Sequence, residues 1–143
     1  MGFSLEVQSD SWLNDDQSWC AARMGRTVCR SITLDISLFN ALHYVNGFIP
    51  SGTVLAKVTA TGLYGPYSPL LVNGLQTPLG HLYTPVRQKN DVGTAYTKQV
   101  GSLFWMGIVD TTKLPVFTGG AALLGALDAA AKTALSNYIR YEP

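Results

Sequence analysis

The chain has 143 residues, of which 13% are charged and 47% are apolar, and its formal net charge is +1. Typical soluble domains contain about 25% charged residues, and the basic residues here are scattered along the sequence. The near-neutral net charge and the scattered basic residues argue against binding to nucleic acid and against a polybasic membrane site. The composition indicates one domain whose uncharged surface becomes covered in an assembly.

The sequence shows no signal for export or for membrane insertion. An acid, Glu6, comes early in the chain, no apolar run of the kind found in signal peptides follows it, and no run is long enough to cross a bilayer. The two cysteines, Cys20 and Cys29, are predicted to stay as free thiols, because a chain of this length needs no disulfide in order to fold.

The first 30 residues differ from the rest of the chain. Residues 9–18 are almost all polar, yet Trp12, Leu13 and Trp19 lie within or beside them. Either these side chains fold back on their own domain, or residues 1–30 form an arm that orders on a partner, with the tryptophans as anchors of the kind that dominate interfaces. We favour the arm.

Alternation of apolar and polar residues predicts the first strand within residues 27–39, with Ile32, Leu34, Ile36 and Leu38 on one face. A second strand is predicted at 53–61, where Leu55 interrupts the alternation and indicates that both faces are covered. Tight turns are predicted around these strands, because glycine, proline and asparagine favour the required backbone angles. The predicted turn residues are Asn46, Gly47, Pro50, Ser51, Gly52, Gly65 and Pro66.

The second half of the chain contains further strand patterns and one helix. Residues 79–86 alternate, residues 87–99 are predicted to form an exposed loop, and residues 100–109 are apolar on both faces. The last pattern is typical of a strand that is central or that meets a neighbouring subunit, and it makes Leu103 and Trp105 candidates for a subunit interface. A helical stripe ending at Leu135 and a final strand at 138–141 complete the predicted elements.

The search for catalytic or cofactor chemistry is mostly negative. His43 and His81 have no metal-binding spacing to each other or to the cysteines, Ser51 has no nucleophile elbow, and no glycine-rich loop has the lysine of a phosphate site. We predict no metal, no cofactor and no enzymatic activity. The alternative is a small hydrolase or ligand-binding domain that uses His43 or His81.

Two stretches together carry a resemblance to a known family. Residues 47–67 have the sequence GFIPSGTVLAKVTATGLYGPY, and the strand pattern at 32–39 precedes them. The chain resembles the head decoration proteins of tailed bacteriophages, of the lambda D type, which are small capsid cement proteins. The resemblance extends from about Asp10 to the predicted C-terminal helix and final strand.

This resemblance implies a fold, a partner and a location. The expected fold is α+β and mostly β, a small barrel-like or sandwich-like domain at 31–143 with one C-terminal helix and an extended N-terminal arm at 1–30. The protein is expected to be made in the host cytoplasm and to bind the major capsid protein on the outer surface of the virion as a homotrimer, which stabilises the expanded capsid. The expected capsid contacts are Trp12, Leu13 and Trp19.

Overall fold

The computed structural model describes residues 17–23, 25–40, 44, 47–115 and 125–143. In these residues the fold is mostly β with one α-helix near the C-terminus, as the sequence predicts. The elements are β1 (Arg30–Asp35), β2 (Phe48–Ile49), β3 (Val54–Lys57), β4 (Tyr64–Pro66), β5 (Pro78–Leu82), β6 (Val86–Arg87), β7 (Lys98–Phe104), β8 (Gly107–Asp110), α1 (Ala129–Leu135) and β9 (Ile139–Glu142).

Five strands form a closed barrel in the order β1-β4-β3-β5-β7. The most extensive pairing is antiparallel, between β1 and β7, and runs from Arg30 opposite Leu103 to Asp35 opposite Lys98. β1 also pairs in parallel with β4, through Leu34 and Tyr64. Each barrel strand therefore has a paired neighbour on both sides, as in other closed barrels.

The barrel interior is filled by the side chains that the alternating pattern placed on one face of the first predicted strand. Ile32 and Leu34 are buried there together with Leu55, Leu82 and Leu103. Ile36 is buried too, but β1 ends at Asp35, so the predicted continuation of this strand to residue 39 is wrong. The carboxylate of Asp35 accepts hydrogen bonds from the backbone N–H and the hydroxyl of Ser37, which favours a single 3-10 turn over Ile36–Leu38.

Helix α1 covers the outside of β3. Val54 and Ala56 pack with Ala131 of the helix in a cluster separate from the barrel interior, whereas Leu55 faces inward. Both faces of β3 are therefore buried, as the position of Leu55 predicted. Asp128 starts the helix, because its carboxylate accepts a hydrogen bond of 2.7 Å from the backbone N–H of Ala131.

The predicted turn residues divide into two groups. Gly47 and Gly52 lie in turns with φ of 80° and 96°, and Ser51 occupies the same turn as Gly52, whereas Asn46 is outside the described residues. Gly65 and Pro66 were predicted to form a turn but lie buried within β4. A Cβ atom at Gly65 would lie 2.7 Å from Cδ1 of Leu38, so the glycine permits close packing instead of a turn.

The apolar stretch at 100–109 forms two strands and not one. β7 ends at Phe104, the chain bends at Trp105 and Met106, and β8 begins at Gly107. β8 pairs in parallel with β9, the predicted final strand, and its other edge contacts the N-terminal segment through a bridge between Val109 and Cys20.

Candidate interaction surfaces

Trp19 lies in the core of its own domain. Its side chain has 0% exposure, and its ring meets Phe104 edge to face at a centroid distance of 5.1 Å. The indole N–H donates a 2.9 Å hydrogen bond to the hydroxyl of Ser51, which in turn donates to the carbonyl of Tyr83 at 2.6 Å. Trp19 is therefore not available as a capsid anchor in this conformation. It folds back on its own domain, which is the other of the two alternatives that the sequence left open.

The described part of the N-terminal segment belongs to the domain. Gln17 donates a side-chain hydrogen bond to the carbonyl of Tyr83, and Cys20 is buried with Trp19 in the same apolar cluster. An arm that is separate from the domain would have to end before Gln17, not at residue 30. Trp12 and Leu13 lie outside the described residues, and their role as capsid contacts stays a prediction.

His81 is held in a position that does not suit catalysis. Its side chain has 0% exposure, and its Nδ1 lies 2.9 Å from the carbonyl oxygen of Gly52. Because a carbonyl only accepts, Nδ1 carries the proton and Nε2 accepts from the hydroxyl of Tyr141, at 2.8 Å. Burial lowers the pKa of His81 to about 4, against a smaller opposite effect of the Gly52 carbonyl, and burial raises the pKa of Tyr141.

Both ring nitrogens of His81 therefore form hydrogen bonds within the domain, and the ring is neutral at neutral pH. The alternative function that relied on His81 loses its chemical basis in this conformation, because a general base must reach the substrate proton. His43, the other candidate, lies outside the described residues.

Cys20 and Cys29 are free thiols. The guanidinium Nε of Arg26 lies 3.3 Å from the sulfur of Cys20, and burial raises the pKa of the Cys29 thiol. Across the described residues, no three or more His, Cys, Asp and Glu side chains group as metal ligands would. The same part of the chain contains no helix that is both long and apolar enough to span a membrane.

The two residues predicted at a trimer interface have different surroundings. Leu103 is 3% exposed and fills the barrel interior, so its prediction as an interface residue is wrong. On the second face of β7, Phe104 packs on Trp19, whereas Val100 is 69% exposed.

Trp105, in contrast, is half-buried and belongs to a surface cluster. Its N–H donates a 2.7 Å hydrogen bond to the carbonyl of Val28, the guanidinium carbon of Arg30 lies 4.5 Å from its ring centroid, and Tyr138 meets it at 5.9 Å. Tyr138 is 61% exposed and Val28 is 40% exposed. We call Val28, Arg30, Trp105 and Tyr138 the aromatic cluster.

A groove lies beside the aromatic cluster, between α1 and β9. Its volume is about 540 Å³, and it is open to solvent. Two cations, Lys132 and Arg140, line it, and Arg140 also contacts Glu142 at 3.1 Å in an exposed ion pair. We call this the C-terminal groove; its lining residues are Lys132, Thr133, Ser136, Ile139, Arg140 and Tyr141.

The most exposed apolar surface in the described residues lies in the loop between β4 and β5. Leu70, Leu71 and Val72 are 70%, 43% and 92% exposed, and we call them the apolar tip. The base of this loop is held, because Leu75 is buried and the carbonyl of Asn73 accepts from the backbone N–H of Thr59 at 3.0 Å.

The sequence pattern did not distinguish the apolar tip from a buried strand end, because both consist of short apolar runs. A signal was nevertheless present: residues 58–86 contain no Asp, Glu, Lys or Arg. An uncharged stretch of this length around an exposed apolar loop is typical of a surface that binds another protein.

Comparison of the chain with protein-family models, with curated proteins and with solved structures finds no match.

Proposed function

We propose that the chain is a head decoration protein of a tailed bacteriophage: a structural, non-enzymatic protein that binds the major capsid protein on the outer surface of the phage head. It acts as a homotrimer and stabilises the expanded capsid. The resemblance of residues 47–67 to this class motivates the proposal, and a compact, mostly β domain agrees with it.

The apolar tip is the observation that carries the proposal furthest. Val72 exposes almost its whole side chain, and Leu70 lies two residues away with most of its side chain in water. Burial of apolar surface stabilises a complex by about 25 cal/mol for each Å². Binding of a protein partner over these residues is therefore favourable. The tip lies on a loop that is fixed at its base, which lowers the entropy cost of binding.

The barrel suits a protein with a mechanical role. The apolar tip lies on the loop between two strands of the closed barrel, β4 and β5. In a trimer, three copies of the tip would contact several capsid subunits at once, so that modest single contacts combine into strong attachment. This arrangement would resist outward pressure without any chemical reaction.

The candidate trimer contact is the aromatic cluster; Leu103 is excluded because it fills the barrel interior. Tryptophan, tyrosine and arginine are the residues most enriched in interface hot spots, and here Trp105, Tyr138 and Arg30 lie together at the surface. The alternative function, a hydrolase or ligand-binding domain, finds no support from His81, whose ring nitrogens are both engaged.

Variants of the apolar tip test the proposal on expanded capsids that lack the protein. The variant L70Q/V72Q should raise the protein concentration needed for half occupancy by about tenfold or more, since hot-spot truncations cost about 2 kcal/mol. V92Q/V100Q is the matched control, because Val92 and Val100 are also strongly exposed, at 84% and 69%, but lie elsewhere. Equal occupancy for both variants and the wild type would rule out the tip as the attachment surface.

A further inference from the structure

The charges of the chain are distributed unevenly. Residues 1–16 contain four acidic residues, Glu6, Asp10, Asp15 and Asp16, and no basic one, whereas residues 17–143 contain ten basic and five acidic residues. The near-neutral total thus conceals an acidic N-terminal segment and a basic body. Opposite charges of this size attract each other at physiological ionic strength when they come within about 8 Å.

The body has one surface that matches the composition of the acidic segment. The aromatic cluster presents Arg30 beside Trp105 and Tyr138, and Tyr138 leads directly into the C-terminal groove with Arg140 and Lys132. All three cations are exposed. The only acidic side chain that contacts one of them in the described residues is that of Glu142, on Arg140, and such an exposed pair holds its partner weakly.

Strand β9, which contributes residues to the groove, has one edge that is unpaired among the described residues. β9 pairs with β8 along one edge, and no strand of the described residues pairs with the other. An extended segment can add to such an edge through backbone hydrogen bonds, while its side chains enter neighbouring pockets. In residues 1–16, Trp12 and Leu13 supply apolar side chains, and the four acids supply charge.

The direction of the chain along β8 fixes the end of the body from which the segment departs. Residues 19–21 run antiparallel to β8, with Trp19 next to Asp110 and Ala21 next to Ile108. Followed towards the N-terminus, the chain therefore leaves β8 at its Asp110 end. The aromatic cluster lies at the opposite end, where the backbone N–H of Gly107 donates to the carbonyl of Tyr138.

We propose that residues 1–16 of one copy bind the aromatic cluster and the C-terminal groove of the next copy, so that the trimer closes as a ring of exchanged segments. The inference rests on the homotrimer of the proposed function and assigns Trp12 and Leu13 a partner inside the trimer. Sixteen extended residues reach about 50 Å, which is enough to span from one small domain to its neighbour. In a ring of this kind, every N-terminal segment is bound and every C-terminal groove is occupied.

Charge exchange between full-length variants tests the inference. The arm variant carries D10K/D15K/D16K, the surface variant carries R30E/K132E/R140E, and the double variant carries all six changes. Self-association is measured by sedimentation, and occupancy is measured on expanded capsids. The arm and surface variants should each associate about tenfold more weakly than the wild type, since each reverses three charges and so replaces attraction between segment and surface with repulsion.

The double variant should recover the association of the wild type, and a mixture of the arm and surface variants should recover much of it, since each then meets an oppositely charged partner. The matched control is K57E/K89E/K98E, which reverses three exposed cations elsewhere and should associate normally. Circular dichroism checks that each variant is folded.

Several results would overturn the inference. Recovery in the double variant but none in the mixture would place the segment on its own body, and unchanged association in both single variants would mean that the segment does not bind this surface. An arm variant that forms normal trimers but loses capsid occupancy would place the segment on the capsid. If the wild type were monomeric both free and on capsids, the proposed function itself would fail.

Discussion

The indole N–H of Trp19 and the hydroxyl of Ser51 form a buried hydrogen bond of 2.9 Å that joins residues 32 positions apart in the sequence. Ser51 lies in the turn next to Gly52, whose carbonyl binds His81. The N-terminal segment, this turn and strand β5 thus form one polar network inside an apolar cluster. The network makes Trp19 part of the domain core, so a truncation that removes this residue should destabilise the fold.

Deletion of residues 1–16 should leave the domain folded, whereas deletion of residues 1–26 should unfold it or destabilise it strongly. The longer deletion removes Trp19 and Cys20 from the core, and loss of a buried tryptophan costs about 3–5 kcal/mol, a large part of the stability of a small domain. Urea unfolding followed by circular dichroism compares the two. The full-length variant W19A separates the tryptophan from the rest of the segment, and equal stability of both truncated chains would contradict the prediction.

The stability of the domain should depend on pH through His81. Its folded pKa of about 4 lies below the unfolded value of about 6.5, so the unfolded chain binds more protons between these values. The contribution of neutral His81 is complete above pH 6.5 and is lost as pH falls towards 4, by about 3 kcal/mol in total.

Urea unfolding at several pH values from 4 to 8 measures this dependence. Comparison with H81Q, which keeps a donor and an acceptor but does not titrate, removes the contribution of other groups. The wild type should lose more stability than H81Q as pH falls through this window. Parallel curves for the two proteins would show that His81 is not buried and neutral in the folded state.

Gly65 should tolerate no larger residue, because of its contact with Leu38. G65A places a Cβ atom 2.7 Å from Cδ1 of Leu38, and overpacking of this kind costs about 1–3 kcal/mol. The matched control is G93A, at an exposed glycine with φ of 83° and no atom within 4 Å of its Cβ position, where only backbone strain applies. In denaturant unfolding, L38A should offset part of the cost of G65A and none of the cost of G93A; additive costs in both pairs would refute the contact.

Periodicity identified the residues that fill the barrel. Ile32 and Leu34 alternate with polar neighbours, and Leu55 breaks its own pattern because α1 covers the other face of β3. Turn chemistry also placed Gly47 and Gly52 correctly, since each has the positive φ that glycine accepts most readily.

Other features of the fold depend on specific side-chain contacts, most of them between residues far apart in the sequence, and the apolar pattern does not reveal these contacts. Gly65 lies in a strand opposite Ala56 and leaves room for Leu38, and both of these residues come from other parts of the chain. Trp19 is surrounded by polar residues in the sequence, but its partners Ser51 and Phe104 come from far along the chain. Asp35 ends its strand through a side-chain hydrogen bond that competes with the sheet, although the apolar alternation continues beyond it.

The cysteines should be dispensable for assembly. Cys20 and Cys29 are unbridged, and the closed barrel does not depend on a link between them. The variant C20S/C29S should fold and should occupy capsids to the level of the wild type, as measured by gel densitometry of purified particles. Loss of occupancy that only an oxidised cysteine pair restores would show that a disulfide is needed.

Imaging of expanded capsids by electron microscopy, with and without the purified protein, tests the proposed function most directly. We predict additional density on the outer surface at the threefold and quasi-threefold positions, with three copies of the barrel in each feature and the apolar tip facing the capsid. Capsids that remain bare at saturating protein, or that bind isolated single copies, would contradict the proposal that this chain is a trimeric decoration protein.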